Sequence, residues 1–489
     1  MNDQLPEKLQ DQMLRFGGGA DSTTLTSGTA AFVGLAILLL LLLPRRYMVV
    51  PFLFVSLFIP YSQVMVIGGL HFYISRILLP VGWIRVLGGK RPEGEGRLRL
   101  NGLDKAIILW AFTDVICATL LWGTWGAFIN RMGSLYSAFG IYFLLRLLIR
   151  DRDDVNRVIR CLVVACSLFA IFMVAEQVTG KNAFSVFGLP AFAQVRQGRV
   201  RSQGPFAHEI VAGTVGATLV PLFIGLWWQG ARSKILMAVG VPSAIAMAMT
   251  AGSATPVAAF IAGAGTLCLW PLRRRMRLLR WGLVSCVIGL HLMMKAPVWA
   301  LIARINIVGG NSGYHRFELI NQAVLHFSEW WLVGTRNPSS WGFEMGDVSN
   351  AYMAAAVEGG LFTLLFFVAI FLQSFRQLGL ARNRAEEKAD RKLELQVWSF
   401  GAALFATFAA YLGITYFDQS SLIWWALLAM ISAITSAEPQ AEGETNAEVE
   451  EATPSRARRW VPLVSSVGRR TPGQDRVWGS QSFQPRKLG

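Results

Sequence analysis

The chain has 489 residues, of which 53% are hydrophobic and only 16% are charged, and its mean hydropathy is +0.43. Soluble globular proteins carry about 25% charged residues, so a soluble enzyme, a disordered protein and a disulfide-stabilised scaffold are excluded. The apolar residues occur in blocks of roughly 17–25, the length that crosses the hydrocarbon core of a bilayer. We therefore predict an all-α fold, a polytopic bundle of transmembrane helices.

In chain order, a polar N-terminal segment (1–27) precedes a transmembrane domain (28–436) and a C-terminal tail (437–489). About 12–13 spans are predicted in the domain, at 28–43, 47–66, 72–88, 104–122, 126–149, 157–178, 209–228, 235–251, 254–271, 281–295, 351–375, 397–416 and 419–436. The stretch 47–88 is interrupted by Pro51, Pro60, Gly68, Gly69 and Pro80. The tail passes from an acidic block into a block rich in Arg, Pro, Ser and Gly, a composition typical of disorder.

The net charge of 46 − 30 = +16 resides in short loops between the predicted spans. One alternation of the spans puts all the basic loops on the same side, which the positive-inside tendency assigns to the cytoplasm together with the C-terminus. These loops are Arg45/Arg46, 90–105, 146–160, Arg232/Lys234, 273–280 and 376–392. Since these charges form no single stripe, no nucleic-acid partner is expected. Two long segments, 179–208 and 296–350, then form large external loops, where we look for function.

The first external loop is basic, although it lies on the side where basic residues are unusual. It carries Lys181, Arg196, Arg199 and Arg201, and no acidic residue precedes Glu209. Arginine guanidinium groups bind phosphate oxygens in a two-pronged geometry that lysine cannot provide. We interpret the loop as a phosphate site, and arginines that contact lipid headgroups are the alternative.

The second external loop contains a predicted helix that begins at Asn311 or Ser312. Its apolar residues recur with helical spacing, which is typical of a helix in the outer membrane interface; they are Phe317, Ile320, Val324, Phe327 and Trp331. Arg316 falls in the first turn, where a cation opposes the helix dipole and a bound anion would be favoured. Arg316 is thus a second candidate phosphate ligand, and pairing with Glu318 or exposure to solvent is the alternative.

Other ionisable residues lie at the predicted outer ends of helices. Charges at membrane depth usually line a cavity or pair with one another, so Glu176, Glu209, Lys295 and Glu358 are predicted to share a polar cavity. The five histidines have no metal-ligand spacing and there is no nucleotide-binding loop. We therefore expect neither a metal nor another cofactor.

Two stretches resemble the O-antigen ligase and O-antigen polymerase superfamily of bacterial envelope proteins. Arg201-Ser-Gln-Gly-Pro-Phe-Ala-His208 is similar to the family's arginine, Gly-Pro-Phe and histidine before a helix. In the second loop the similarity comprises Arg316, Trp331-Leu-Val-Gly334, Ser349-Asn-Ala-Tyr352 and Glu358-Gly-Gly-Leu361. Two positions depart from the pattern: the family often has His-Asn where Ser349-Asn350 stands, and Pro-Asn where Glu209-Ile210 stands.

The resemblance implies a glycosyltransferase that moves a glycan from a polyprenyl-diphosphate carrier to a glycan or lipid acceptor at the outer face of the bacterial inner membrane. Arg199, Arg201 and Arg316 would bind the diphosphate without a metal. A base on the acceptor hydroxyl would come from Asp347, His208 or Glu358, and His315, Asn350 and Tyr352 would lie at the acceptor side. The implied partners are this donor, the acceptor, membrane lipids and other envelope polysaccharide assembly proteins.

Two further hypotheses stay open. A transporter or flippase for an envelope lipid or polysaccharide precursor would show inverted repeats and matching broken helices. A non-catalytic scaffold of an assembly complex would bind the donor without turnover, and Ser349 in place of the family's histidine keeps this hypothesis open. Ligase and polymerase use the same donor, so the residues do not separate them.

Overall fold

The computed structural model describes residues 22–89, 99–304, 312–342 and 345–451, with only the backbone described for Ser312 and 437–451. The chain divides into a first unit, Met1–Pro439, and a second unit, Gln440–Gly489. The first unit holds the helical bundle. The described part of the second is the end of the last helix.

The first half of the bundle consists of helices and two small hairpins. The elements are α1 Ser27–Leu42, α2 Val49–Phe58, β1 Val64–Ile67, β2 Leu70–Tyr73, α3 Ile74–Gly88, α4 Gly102–Trp122, α5 Trp125–Leu148, α6 Arg152–Thr179, β3 Gln194–Arg196, β4 Arg199–Arg201, α7 Glu209–Gly225 and α8 Ala231–Thr250. Each hairpin is an antiparallel pair of neighbouring strands.

In the second half, α9 Ala254–Cys268 and α10 Met276–Met293 lead into the long second loop and then into three further long helices. The remaining helices are α11 Leu301–Arg304, α12 Ser312–Leu325, α13 Phe327–Trp330, α14 Ala351–Glu387, α15 Arg391–Ala410 and α16 Ser421–Glu451. The predicted tail overlaps the end of α16, and 452–489 lie outside the described residues, so its disorder stays a prediction. The N-terminal segment lies outside them up to residue 21.

Every predicted span contains a helix, which confirms the helical bundle in outline. In the described part of the chain, seven helices are long and apolar enough to cross a membrane, whereas α1, α9 and the apolar part of α16 are shorter. The structure therefore supports a multi-pass membrane protein, and the count of 12–13 spans stays a prediction.

The second predicted span, 47–66, was wrong in its second half. The helix α2 ends at Phe58, and residues 64–73 form the hairpin β1–β2. Gly68 and Gly69 form its turn with φ of 58° and 78°, a left-handed conformation that two consecutive glycines adopt without steric cost. The apolar residues Val64–Ile67 suit a strand as well as a helix, so hydropathy alone did not reveal the turn.

Helix α7 lies at the centre of the bundle, and 83% of the residues in its most apolar stretch are buried. Small residues allow its neighbours to approach closely: a side-chain carbon at Gly216 would lie 2.5 Å from the carbonyl oxygen of Ala244 in α8. Such close backbone contact is typical of helix packing in membranes. Helix α10, in contrast, has no buried residue and lies at the periphery.

Three of the basic loops, 146–160, 273–280 and 376–392, contact one another or the start of α15 at one end of the bundle. Arg152 pairs with Asp390 at 3.2 Å, and two ion pairs join the segment after α9 to the α14–α15 region, Arg273–Glu394 at 2.7 Å and Arg274–Glu386 at 2.6 Å. We call this the basic end. The first external loop and the segment between α15 and α16 meet at the other end, which we call the loop end. Which end faces the cytoplasm stays a prediction.

Candidate functional site

The basic residues of the first external loop lie on the hairpin β3–β4. Its strands pair Gln194 with Arg201 and Arg196 with Arg199, and Gln197 and Gly198 make the turn with positive φ. Arg196 and Arg199 are exposed at the tip, whereas Arg201 is 4% exposed at the base. The two predicted phosphate ligands of this loop therefore differ: Arg199 is open to solvent and Arg201 is buried.

Arg201 is held by several contacts inside the protein. Its Nη1 lies 2.5 Å from Oε1 of Glu209, which is also buried, and 3.4 Å from Oε1 of Gln194. Its Nε donates to the carbonyl oxygen of Ala251 at 3.2 Å. Burial lowers the pKa of Arg201, and the Glu209 carboxylate opposes that shift. Arg201 thus fixes the hairpin to the turn after α8, and its charge is balanced by Glu209.

The segment 202–208 is anchored on both sides. Oε2 of Glu176 accepts from the amides of Gly204 and Gln203 at 2.8 and 3.2 Å. Oδ2 of Asp418 accepts from the Ala207 amide at 2.8 Å, and Nε2 of Gln419 donates to the Pro205 carbonyl. Burial raises the pKa of Asp418. The Gly-Pro-Phe motif is therefore a rigid connection between Arg201 and α7.

His208 ends this segment as the N-cap of α7. Its Nδ1 accepts from the amide of Ile210 at 3.2 Å and lies 3.4 Å from Oε2 of Glu209. An accepting Nδ1 carries no proton, so the neutral ring has its hydrogen on Nε2. In this tautomer His208 presents a hydrogen-bond donor, and a role as base at Nε2 would require the proton to move first.

Arg316 lies on α12, as predicted, and is half-buried. Its Nη2 donates to Oγ1 of Thr255 at 2.7 Å, and the absence of a side chain at Gly413 makes room for the guanidinium. Glu318 accepts from Gln322 instead. Within the described residues no carboxylate pairs with Arg316, and burial lowers its pKa.

One arginine of each external loop therefore contacts the same short segment, residues 251–255, which comprises the turn after α8 and the first two residues of α9. Arg201 contacts Ala251 from one loop and Arg316 contacts Thr255 from the other. The N-cap residue of α9, Ser253, makes no capping hydrogen bond through its side chain. The first amides of a helix without such a cap favour an anion, as a positive charge beside them does.

The segment of Asp347 contacts α12 beside Arg316. Nε2 of His315 lies 3.2 Å from the backbone oxygen of Asp347. The Asp347 side chain is exposed, and Ser349 is half-buried. The segment of Glu358 also packs against α12, through Ala356 and Val357, but the Asp347 backbone contacts His315, the residue next to Arg316, and the Glu358 carboxylate is paired with Arg131.

Asn350 and Tyr352 make structural contacts at the start of α14. The Asn350 side chain caps the helix by accepting from the amides of Tyr352 and Met353, and it donates to the Leu412 carbonyl at 3.2 Å. The Tyr352 hydroxyl donates to the Phe408 carbonyl at 3.0 Å. Both residues thus hold α14 against the end of α15, and their predicted place at the acceptor side stays untested.

Glu358 belongs to a different cluster. Its Oε2 lies 2.8 Å from Nη2 of Arg131, whose Nη1 is 3.6 Å from Asp114. Helix α14 bends two residues later, at Gly360, which has φ 75° and ψ −176°. At this bend the Leu361 amide donates to the carbonyl oxygen of Trp331, and the Thr335 amide donates to the carbonyl oxygen of Val357, both at 2.8 Å. The predicted cavity is therefore divided: Glu176 and Glu209 lie around 201–209, and Glu358 lies with Arg131.

The predicted helix is present as α12, Ser312–Leu325, followed by the short α13. Leu319 and Ala323 are buried and pack with Trp330 and Trp341, whereas Val324, Phe327 and Trp331 of the predicted apolar stripe are exposed on the protein surface. The position of this stripe in the membrane interface stays a prediction. Among the described residues, no group of three or more His, Cys, Asp or Glu side chains is arranged to hold a metal ion.

Sequence reasoning did not find Thr255 or Gly413, which contact Arg316, and it did not assign a role to Asp418, which anchors 202–208. These residues lie far from their partners along the chain and carry no local motif. Comparison with models of known protein families finds no match, and no curated protein matches the chain.

Proposed function

We propose that this protein is a membrane glycosyltransferase of the O-antigen ligase or polymerase type, acting on a polyprenyl-diphosphate-linked glycan at the outer face of the bacterial inner membrane. The single observation that carries the proposal is Arg316: a half-buried guanidinium without a carboxylate partner in the described residues, bonded to Thr255 at the start of α9.

The electrostatics of this place favour a phosphate. Burying an unpaired cation is costly, and an anion that pairs with it offsets the cost. The start of α9 adds its amides and its dipole, and Arg201 brings the first external loop to the same segment. A diphosphate leaving group gains charge in the transition state, so cations and aimed dipoles stabilise it there.

The reaction requires one bond to form and one to break. The acceptor oxygen attacks the anomeric carbon, the bond from that carbon to the diphosphate oxygen breaks, and its electron pair leaves with polyprenyl diphosphate. The acceptor proton passes to a base. We assign this role to Asp347, because its side chain is exposed, its backbone oxygen contacts His315 beside Arg316, and the other candidate carboxylate, Glu358, is paired with Arg131.

The test uses purified protein in nanodiscs with a polyprenyl-diphosphate-linked oligosaccharide. Free polyprenyl diphosphate and the size of the glycan product are measured together. Arg316→Ala should lower transfer about 10²–10³-fold, the usual effect of removing one transition-state donor. A ladder of products would indicate a polymerase, and a single addition would indicate a ligase.

A second variant displaces Arg316 without removing its charge, and it has a matched control. A side-chain carbon at Gly413 would lie 2.7 Å from Nε of Arg316, whereas one at Gly401 meets nothing within 4 Å. Gly413→Ala should therefore impair transfer and Gly401→Ala should not. Full activity in Arg316→Ala would contradict the assignment. Donor binding without release, with any acceptor, would favour the scaffold or transporter hypothesis.

A further inference from the structure

A cavity of about 710 Å³ opens at the basic end, between α7, α9 and α15. Its walls are apolar and rich in tryptophan, formed by Trp228, Trp270, Trp398 and Leu267 among others. The volume lies within the range of about 300–1,000 Å³ that is usual for ligand sites. The cavity lies at the opposite end of α7 from Arg201 and Arg316, so the proposed transfer site does not account for it.

Two of the three tryptophans of this cavity, Trp270 and Trp398, are fixed in place. Nε1 of Trp398 donates to the Thr266 carbonyl at 3.1 Å, and the rings of Trp270 and Trp398 meet edge to face with centroids 5.7 Å apart. The guanidinium of Arg273 lies over Trp270, 4.3 Å from the ring centroid. The apolar walls are therefore formed before any ligand binds.

Two uncompensated charges lie at the cavity wall. Arg391 and Lys392, the first residues of α15, line the cavity and are exposed. In the part of the chain that the structure describes, neither side chain has an ion-pair or hydrogen-bond partner. The neighbouring carboxylates are already used, since Asp390 pairs with Arg152 and Glu394 pairs with Arg273. An apolar cavity thus lies directly beside two free cations.

We propose that this cavity binds one anionic phospholipid of the surrounding leaflet, with an acyl chain between the tryptophans and the phosphate on Arg391 and Lys392. Basic pockets between transmembrane helices are suited to anionic headgroups. Tryptophan is suited to the boundary between acyl chains and headgroups, because its ring is apolar and its N–H is polar. The site is independent of the proposed transferase activity.

Native mass spectrometry of the full chain in detergent tests this site, with dioleoylphosphatidylglycerol and dioleoylphosphatidylcholine as probes. Wild type should retain one phosphatidylglycerol in preference to phosphatidylcholine. The double variant Arg391→Gln/Lys392→Gln should bind phosphatidylglycerol roughly 25-fold more weakly, since each basic residue near a headgroup contributes about a fivefold factor. A cation in the first turn of a helix opposes the helix dipole, so the loss of these two charges should not destabilise α15, and the variant should fold.

The matched control is Lys105→Gln/Arg376→Gln, which removes two exposed cations at the same end but away from the cavity. Both residues are exposed, and Gly102 packs against Gln373 between them. Unchanged phosphatidylglycerol binding in the control, with loss in the first variant, supports the site. Equal loss in both variants, equal retention of phosphatidylcholine, or no lipid retained by wild type would overturn it.

Discussion

The buried ion pair between Arg201 and Glu209 allows the structural role of Arg201 to be separated from a role in binding the donor. Their side chains are 5% and 3% exposed, with 2.5 Å between Nη1 and Oε1. Replacing Arg201 with Met leaves the Glu209 carboxylate buried without its cation. Breaking such a pair from one side costs about 3–5 kcal/mol.

Removing both charges should restore most of this loss. In Arg201→Met/Glu209→Gln no charge is left buried, and exchanging a buried pair for neutral groups is often close to neutral for stability. We therefore expect the single variant to unfold at a much lower temperature or denaturant concentration, and the double variant to return towards wild type. Arg199→Met, at an exposed position of the same strand, should stay within about 0.5 kcal/mol of wild type.

Thermal unfolding in detergent measures stability, and the transfer assay on the same samples measures function. A stable double variant without transfer would assign Arg201 to donor binding as well as to folding. A stable double variant with full transfer would restrict it to folding. The reasoning fails if Arg201→Met is as stable as wild type, or if the second substitution restores nothing.

Three further predictions concern the loop end. Gly360→Ala should destabilise the fold by about 3 kcal/mol or more in thermal unfolding. The φ and ψ of Gly360 suit glycine alone, and the new side-chain carbon would lie 2.5 Å from the Leu332 carbonyl oxygen. Gly379→Ala, in open space on the same helix, is the control and should be neutral or stabilising in the same assay. Asn350→Ala should cost about 1–2 kcal/mol through loss of the cap of α14, and Asn350→Ser, which keeps a capping oxygen, should cost less; equal losses would contradict the capping role. Since burial raises the pKa of Asp418 above its ordinary value of 3.8, the folded state holds the proton more tightly, so the free energy of unfolding should fall as the pH rises from that value through the folded pKa. Asp418→Asn should remove this slope in unfolding measured at several pH values, and an unchanged slope would refute the assignment.

The helices were predictable because an apolar block of membrane length has few other ways to satisfy its backbone. The hairpin at 64–73 was not, since Val64–Ile67 fits a strand or a helix and only the turn at Gly68–Gly69 decides. Arg316 could be singled out because a cation in the first turn of a helix is locally unfavourable. Its contact with Thr255, 61 residues away along the chain, has no local signature.

The same limit applies to Arg201 and Glu358. A basic loop on the unexpected side indicated a special role for its arginines, but it did not distinguish the exposed Arg199 from the buried Arg201. For Glu358, position at a helix end indicated a polar environment and did not reveal its partner Arg131, which lies on another helix.

At the bend of α14, two backbone hydrogen bonds join the helix to the second external loop. The Thr335 amide donates to the Val357 carbonyl, and the Leu361 amide donates to the Trp331 carbonyl. The loop segment 331–335 therefore shares backbone hydrogen bonds with α14. The amide protons of Thr335 and Leu361 should exchange with solvent only when this part of the bend opens. The second external loop is thus coupled to the bundle in its fluctuations, and a substitution in α14 near the bend would alter the motion of the loop without touching it.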